Sequence, residues 1–281
     1  MTASLRGELA ALARFEASEV LRSRWLLFCA TIYVALAAVF VLVGLRESVV
    51  LGFTGMSRVL LSFCHVLVLL LPLLALTATA QRVGEARDSG GLEVMLSLPV
   101  RRGAYLASLL GVRYLALAAP LVVIVLAMGI LARVAFGQEI PWGFVGRTLL
   151  LSASLLWAFC GIGLLISTWV RSAARALLSL LLTWAAGIAL LDFALIGLML
   201  QWRLPARAVF ALAAINPVEA SRVALLASVE PELASLGPVG FYMATRLGPD
   251  ALLAFGVLFP LLLGTACAWA AHVHFRRGDV V

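Results

Sequence analysis

Long apolar runs separated by short charged segments dominate this chain. Five of the runs contain no Asp, Glu, Lys or Arg, and a sixth is interrupted once, by Asp192. Each run reaches the roughly 20 residues that a helix needs to cross the hydrocarbon core of a membrane, and the alternation typical of barrel strands is absent. The pattern predicts six transmembrane helices, at about residues 25–45, 59–81, 114–132, 148–170, 176–202 and 251–275.

The composition indicates that lipid is the solvent for much of the chain. Of 281 residues, 64% are hydrophobic and 12% are charged, and the mean hydropathy is +1.10. A soluble domain of this length averages roughly half apolar and a quarter charged residues. We therefore expect an all-α integral membrane protein whose residues 1–281 form a single transmembrane domain.

The placement of arginine predicts the orientation. Segments that share a side with the N-terminus hold 13 arginines, whereas the opposite segments hold 8. Basic residues are enriched on the cytoplasmic side, so we expect a multi-pass protein of the cytoplasmic (inner) membrane with both termini inside. The net charge of +7 follows largely from this topology, and we expect no nucleic-acid partner. The inner segments are then 1–24, 82–113, 171–175 and 276–281.

The N-terminal segment 1–24 has the pattern of an amphipathic helix. Leu5, Leu9 and Leu12 form one apolar stripe, and charged residues occupy the rest of the surface. Such a helix lies in the membrane interface, and Trp25 marks the turn into the first span. The segment is too charged for a cleavable signal peptide, so the first span should be retained.

The chain contains no lysine, and the 21 residues counted as lysine or arginine are all arginine. A phosphate-binding loop of the form GxxxxGK[ST] is therefore impossible, and neither HExxH nor GxSxG occurs. We expect no catalytic residues and no cofactor on this chain. If its work is driven by ATP, the ATP and its Mg²⁺ must be bound by another polypeptide.

A dense polar insert, residues 84–102, lies between the second and third predicted spans. Asp88 or Ser89 is suited to cap a short helix, and Pro99 to end it. An apolar stripe ringed by charges needs a surface on which to dock. The insert is either a loop that rests on headgroups or a lever that fits into a partner. The predicted stripe consists of Leu92, Met95, Leu96 and Pro99.

The order of residues from Gly84 to Arg102 resembles the cytoplasmic loop of type-2 ABC exporter permeases. The resemblance implies that this insert is the coupling helix, which contacts a cytoplasmic ABC ATPase. It also implies that segment 1–24 is an elbow helix and that two copies of the chain form a homodimer. The coupling residues that it implies are Glu85, Arg87, Asp88, Gly90, Leu92, Glu93, Met95, Leu96, Pro99, Arg101 and Arg102.

Three shorter stretches resemble one branch of that family, the permeases of the nitrous-oxide-reductase maturation transporter. They are Leu21–Leu27, Leu51–Thr54 and Asn216–Arg222. The resemblance implies a periplasmic accessory protein and a role in supplying sulfur or copper to the copper centres of the reductase. Other functions stay open: export of lipid, polysaccharide or drug, secondary transport driven by an ion gradient, and transmission of force without any solute.

Two charged residues in or near the spans need either a partner inside the protein or access to the headgroups. Asp192 is the only acid within a predicted span, and burying it alone would cost on the order of 3 kcal/mol or more. It is expected either to face the translocation path or a dimer seam, or to form a structural hydrogen bond. Arg113 lies at the inner edge of the third span, so we expect it to extend outward to the headgroups as an anchor.

The outer segment 203–250 is too long for a simple connector and is rich in proline and glycine. This composition predicts short helices or a re-entrant hairpin. The segment would serve either as a lid on the spans or as the docking site of an outer partner. The candidate contact residues are Asn216, Pro217, Glu219 and Arg222.

No metal site is expected. The neighbours Cys64 and His65, and the pair His272 and His274, diverge around a helix. The four cysteines show no paired spacing, so no disulfide is expected either.

Overall fold

Helices make up nearly all of the described chain. A computed structural model describes residues 5–51, 55–136, 142–187, 214–230, 233, 240 and 244–277, and this part of the chain contains no strand. The expectation of an all-α protein is confirmed there. The helices are α1 (Leu5–Arg22), α2 (Arg24–Leu51), α3 (Gly55–Thr79), α4 (Arg82–Asp88), α5 (Gly91–Ser97), α6 (Arg102–Phe136), α7 (Trp142–Trp169), α8 (Ala173–Ala185), α9 (Pro217–Ala227) and α10 (Gly248–Arg277).

Four helical stretches of the described residues are long and apolar enough to cross a membrane, and a fifth results if α1 and α2 count as one span broken by a 63° bend. The predicted span at 176–202 is described only by the 13 residues of α8. Its remainder, with Asp192, lies outside the described residues. The four stretches are Val66–Asp88, Arg102–Leu131, Trp142–Trp169 and Gly248–Arg277.

Helices α3, α7 and α10 run in the same direction. Cys64 contacts Thr148 at 3.7 Å near the start of α3 and α7, and the Val83 amide donates to Ser167 Oγ at 2.8 Å near their ends. Between α7 and α10, Trp157 Nε1 donates to Thr265 Oγ1 at 3.1 Å. The rings of Trp169 and His274 then meet at 5.8 Å near the ends of the same two helices.

Helix α6 runs against these three, because its first residue, Arg102, contacts the last turn of α10. The segments around 82–102, 169–175 and 272–277 therefore gather at one end of the bundle, together with α1. We call this the basal end. Described residues from all four segments that arginine placement assigns to the cytoplasmic side lie at this end.

The centre of the bundle is α7, which is buried along most of its length. Gly161 and Gly264 bring the backbones of α7 and α10 together, and a Cβ at Gly264 would lie 2.6 Å from the carbonyl oxygen of Trp157. This packing through small residues is the usual means by which membrane helices approach closely.

Candidate functional site

The polar insert forms two short helices at the basal end, α4 and α5. Gly90 joins them with φ of 72°, a left-handed conformation that glycine adopts without strain. Gly90 is also the N-cap of α5, and no side chain caps this helix. The prediction that Asp88 or Ser89 caps the helix is therefore wrong, since Asp88 ends α4 and Ser89 Oγ donates to the carbonyl of Ala86 at 3.3 Å.

The apolar stripe of α5 faces its own protein. Leu92 is only 1% exposed and belongs to the hydrophobic core, and Met95 and Leu96 are half-buried against that core. Leu92 is thus unavailable to a partner, contrary to the docking stripe predicted from the sequence. The physical reason is that Leu92 is part of the hydrophobic core of the chain, so that the most apolar face of α5 is used internally.

The opposite face of this insert is exposed. Val94 is 67% exposed, Leu98 is 54% exposed, and Glu93 and Pro99 are exposed beside them. We call Glu93, Val94, Leu98 and Pro99 the outer face of this polar insert. It adjoins an apolar groove of about 680 Å³ between α5 and α1.

Ionic contacts hold both ends of this segment. At its start, Arg82 lies 3.1 Å from Glu85 and 3.2 Å from Glu19 of α1, and Arg87 Nη1 donates to the carbonyl of Arg171 at 3.5 Å.

At its end, the Arg101 guanidinium lies 3.9 Å from the carboxylate of Glu8, which also accepts the Arg101 amide. Arg102 donates to the carbonyls of Phe275 and Arg276 at 3.2 and 3.3 Å. The segment is therefore fastened to α1, to the α7–α8 connection and to α10.

Arg113 is the largest side chain among those almost fully buried, at 1% exposure. Its Nη2 lies 3.5 Å from the carboxylate of Glu16 and 4.0 Å from that of Glu19. The prediction that Arg113 extends to the headgroups is wrong, because the amphipathic helix α1 covers it and supplies the counter-charge.

Two donors of Arg113, Nε and Nη1, have no hydrogen-bond partner among the described residues. Glu16, Glu19, Arg82 and Arg113 supply charged groups to the lining of a cavity of about 320 Å³. Burial raises the pKa of Glu16 and the charge of Arg113 opposes that rise. A cavity of this size and polarity has room for water that would complete the hydrogen bonds of Arg113.

The sequence contained a signal for this pair that hydropathy alone does not reveal. Leu12, Glu16 and Val20 are spaced four residues apart, and all three are buried on one face of α1. An acid within the apolar series of an amphipathic helix indicates a buried basic partner. Arg113 is the matching residue near the start of the third span.

The candidate outer contacts lie largely inside the chain. Asn216 is 2% exposed: its side chain caps α9 by accepting the Val218 amide at 3.0 Å and donates to the carbonyl of Gly187. Glu219 is 5% exposed and lies 2.9 Å from Arg222. Asn216 and Glu219 are therefore unsuited to hold an external partner, whereas Pro217 and Arg222 are partly exposed. Burial follows because α9 is inserted among the long helices, with Ser221 Oγ donating to the carbonyl of Gly256 at 3.4 Å.

The histidines of α10 face different neighbours. His272 lies against Gly103 of α6, and the ring of His274 meets that of Trp169. Within the described residues no three His, Cys, Asp or Glu side chains form a group that could hold a metal ion.

Comparison with known proteins gives a family match and two curated relatives. The model of the ABC-2 family transporter protein matches residues 10–274. The chain is 27% identical over 284 aligned positions to the "Probable ABC transporter permease protein NosY" of Pseudomonas aeruginosa, covering 96% of this chain and 98% of that protein. It is 33% identical over 95 residues to the protein of the same name from Stutzerimonas stutzeri, covering 34% of each.

Proposed function

The chain belongs to the ABC-2 family of transporter proteins. We propose that its polar insert, residues 84–102, is a coupling segment that receives force from a separate ATPase and passes it to the spans. An ABC permease of this kind is a transport subunit, and its family implies a partner ATPase. The proposal assigns that contact to the outer face of the coupling segment and to the adjoining groove beside α1.

One observation carries this proposal: the insert is exposed on one face and fastened to several helices on the other. Val94 and Leu98 are large apolar side chains exposed on the outer face, and burying each against a partner is worth about 1.5–3 kcal/mol. The contacts of Arg82, Arg101 and Arg102 give a displaced segment a direct mechanical connection to α1 and α10.

The partner ATPase would supply ATP and Mg²⁺, because this chain lacks the lysine of a phosphate-binding loop. We further propose that two copies of the chain form the permease. The exposed leucines of α8 are available to lipid or to a second copy, and Asp192 follows this helix in the sequence. The leucines are Leu177, Leu178, Leu181 and Leu182.

For the cargo, we propose sulfur or copper supply for maturation of nitrous oxide reductase, together with a periplasmic accessory protein. The similarity to two NosY proteins, one of them along nearly the full chain, supports this choice over export of lipid, polysaccharide or drug. Complementation tests it. The chain should restore nitrous oxide consumption to a Pseudomonas aeruginosa strain that lacks its own NosY, and normal expression with no restoration would favour the exporters.

The coupling assignment is tested by co-purification with the ATPase. We expect Glu93→Arg, Val94→Asp and Leu98→Asp each to reduce the amount of ATPase retained per folded permease. Val134→Asp is the matched control, because Val134 is as exposed as these residues but lies at the opposite end of α6.

Leu92→Ala separates folding from docking. Leu92 is buried, so its truncation should lower the yield of folded permease while the ATPase retained per folded molecule stays unchanged. Undiminished ATPase on the three outer-face variants would contradict the proposal.

A further inference from the structure

Five charged side chains of alternating sign line the cavity of about 320 Å³ that α1, α4, α5 and α6 enclose. In order they are Glu85 and Arg82 of α4, Glu19 of α1, Arg113 of α6, and Glu16 of α1. Successive members of this series lie 3.1, 3.2, 4.0 and 3.5 Å apart. Glu19 thus lies in the middle, between an arginine of α4 and an arginine of α6.

The two contacts of Glu19 are unequal. Its Oε1 accepts a hydrogen bond from Arg82 Nη1 at 3.2 Å, whereas Arg113 Nη2 lies 4.0 Å from the same oxygen, too far for a hydrogen bond. Arg113 is 1% exposed, and two of its donors, Nε and Nη1, have no partner among the described residues. The side chain of Glu19 is 47% exposed, so packing restricts it little. The structure therefore places Glu19 on Arg82, with a second arginine that has unused donors close by.

Movement of α4 away from α1 would leave each of these charges with a partner. Arg82 and Glu85 are three residues apart on the same helix and move together. Glu19 would keep Arg113, and Arg113 would keep Glu16. A charge left buried without a partner is the main cost of opening an ion pair inside a protein, and this arrangement avoids it. The cavity also provides the space in which Glu19 can turn toward Arg113.

We propose that Glu19 exchanges partners. It holds α4 through Arg82 in this structure, and it transfers to Arg113 when α4 moves away from α1. The contact between α1 and α6 then tightens as the contact between α1 and α4 opens, which passes the movement of the polar insert to a long apolar helix. The force that displaces α4 rests on the proposed function, because α4 belongs to the insert assigned to the ATPase. The exchange itself is a property of this chain and can be measured without the ATPase.

Hydrogen exchange of the purified full-length protein, measured by mass spectrometry, tests this inference on the amides of α4 and on those of residues 16–22 of α1. Arg82→Gln imitates the departure of α4 and keeps the fold, because Arg82 is a partly exposed side chain. The α4 amides should exchange about two- to fivefold faster, the effect of one surface ion pair. Residues 16–22 should exchange at the wild-type rate, because Glu19 transfers to Arg113. Adding Glu19→Gln removes this second partner and should speed exchange of residues 16–22 about two- to fivefold.

Glu8→Gln is the matched control, because Glu8 is an acid of the same helix whose contact is Arg101. Added to Arg82→Gln, it should leave the exchange of residues 16–22 unchanged. A crystal structure of Arg82→Gln supplies a readout that a fixed ion pair would not change. The carboxylate of Glu19 should lie at hydrogen-bond distance from Arg113, about 2.7–3.2 Å, and closer than in the wild-type protein.

Four results would overturn the proposal. They are α4 amides that Arg82→Gln does not affect, residues 16–22 that lose protection in Arg82→Gln alone, equal acceleration of these residues by Glu8→Gln and Glu19→Gln, and an unchanged distance between Glu19 and Arg113. None of them would contradict the docking of the ATPase, which the outer-face variants test. Conversely, undiminished ATPase on the outer-face variants would contradict the proposed function and leave the partner exchange in place.

Discussion

Glu16 of α1 and Arg113 of α6 form a buried ion pair, with 3.5 Å between the carboxylate and Nη2. Their positions are 97 residues apart in the chain, and the pair joins the N-terminal helix to the third predicted span. Breaking one partner of a buried pair typically costs about 3–5 kcal/mol, because the other charge remains buried without compensation. The pair therefore fixes where α1 lies.

The first prediction concerns this pair. Arg113→Met should lower the thermal midpoint of the purified protein strongly, because it leaves Glu16 buried and unpaired. The double variant Glu16→Leu with Arg113→Met should recover much of the loss, since both charges are removed together.

Size-exclusion chromatography after a temperature series measures both variants. Arg133→Met, an exposed position on the same helix, is the control and should behave like the wild type. A double variant no more stable than Arg113→Met would show that the two side chains are not energetically coupled.

The second prediction concerns the turn between α4 and α5. Gly90→Ala should destabilise the protein by about 1–2 kcal/mol, because a side chain at φ of 72° is strained although no atom lies within 4 Å of the added Cβ. Gly90→Asn should lose less, since asparagine tolerates this conformation better. Thermal unfolding compares these variants with Gly111→Ala, which adds a methyl group in equally open space on a regular helix. Equal midpoints for Gly90→Ala and Gly111→Ala would contradict the prediction.

The third prediction tests the approach of α7 and α10. Gly264→Ala should reduce the folded yield, because its Cβ would lie 2.6 Å from the carbonyl oxygen of Trp157 and 2.7 Å from Cα of Ala158. Overpacking of this kind typically costs about 1–3 kcal/mol. Gly146→Ala, on α7 with open space around its Cβ, is the control for adding a methyl group. The close packing would be disproved if both variants were recovered folded in the same amount.

The fourth prediction concerns the inserted helix α9. Asn216→Ala should speed hydrogen exchange of the first amides of α9, because the cap to Val218 and the bond to Gly187 are both lost. Loss of such a cap costs about 1 kcal/mol. Asn216→Asp should protect these amides better than Asn216→Ala, since a carboxylate still accepts from Val218. Ser228→Ala, at the other end of α9, should leave them unchanged, and equal exchange in all three variants would exclude the cap.

Hydropathy predicted the helical class and the positions of the long helices, because a lipid solvent requires continuous apolar runs. It placed the third span at 114–132, whereas α6 begins at Arg102. The difference arises because a charged residue such as Arg113 ends an apolar run in a hydropathy analysis. In the structure, Glu16 compensates the charge of Arg113, and the helix continues through this position. A pairing between distant segments leaves no mark in the average over a window of neighbouring residues.

In the polar insert, too, the sequence predicted the local helix but not the surface against which it packs. The sequence predicted a short helix with an apolar stripe, and α5 has both. The stripe is buried within the chain's own hydrophobic core, to which Leu92 belongs together with Tyr105 and Leu109 of α6. Spacing along one helix cannot distinguish an internal neighbour from an external partner, so the sequence did not show that Leu92 is buried within its own chain.

Helix α1 contacts the polar insert at two points. Glu19 pairs with Arg82 at the start of the insert, and Glu8 pairs with Arg101 at its end. Glu8 and Glu19 are eleven positions apart on α1, which corresponds to a rise of about 16 Å along the helix. Both ends of the polar insert are therefore fastened to one helix, which restrains the distance between Arg82 and Arg101. A shortened chain that began at Arg24 would lose both of these contacts and would also leave Arg113 without the carboxylate of Glu16.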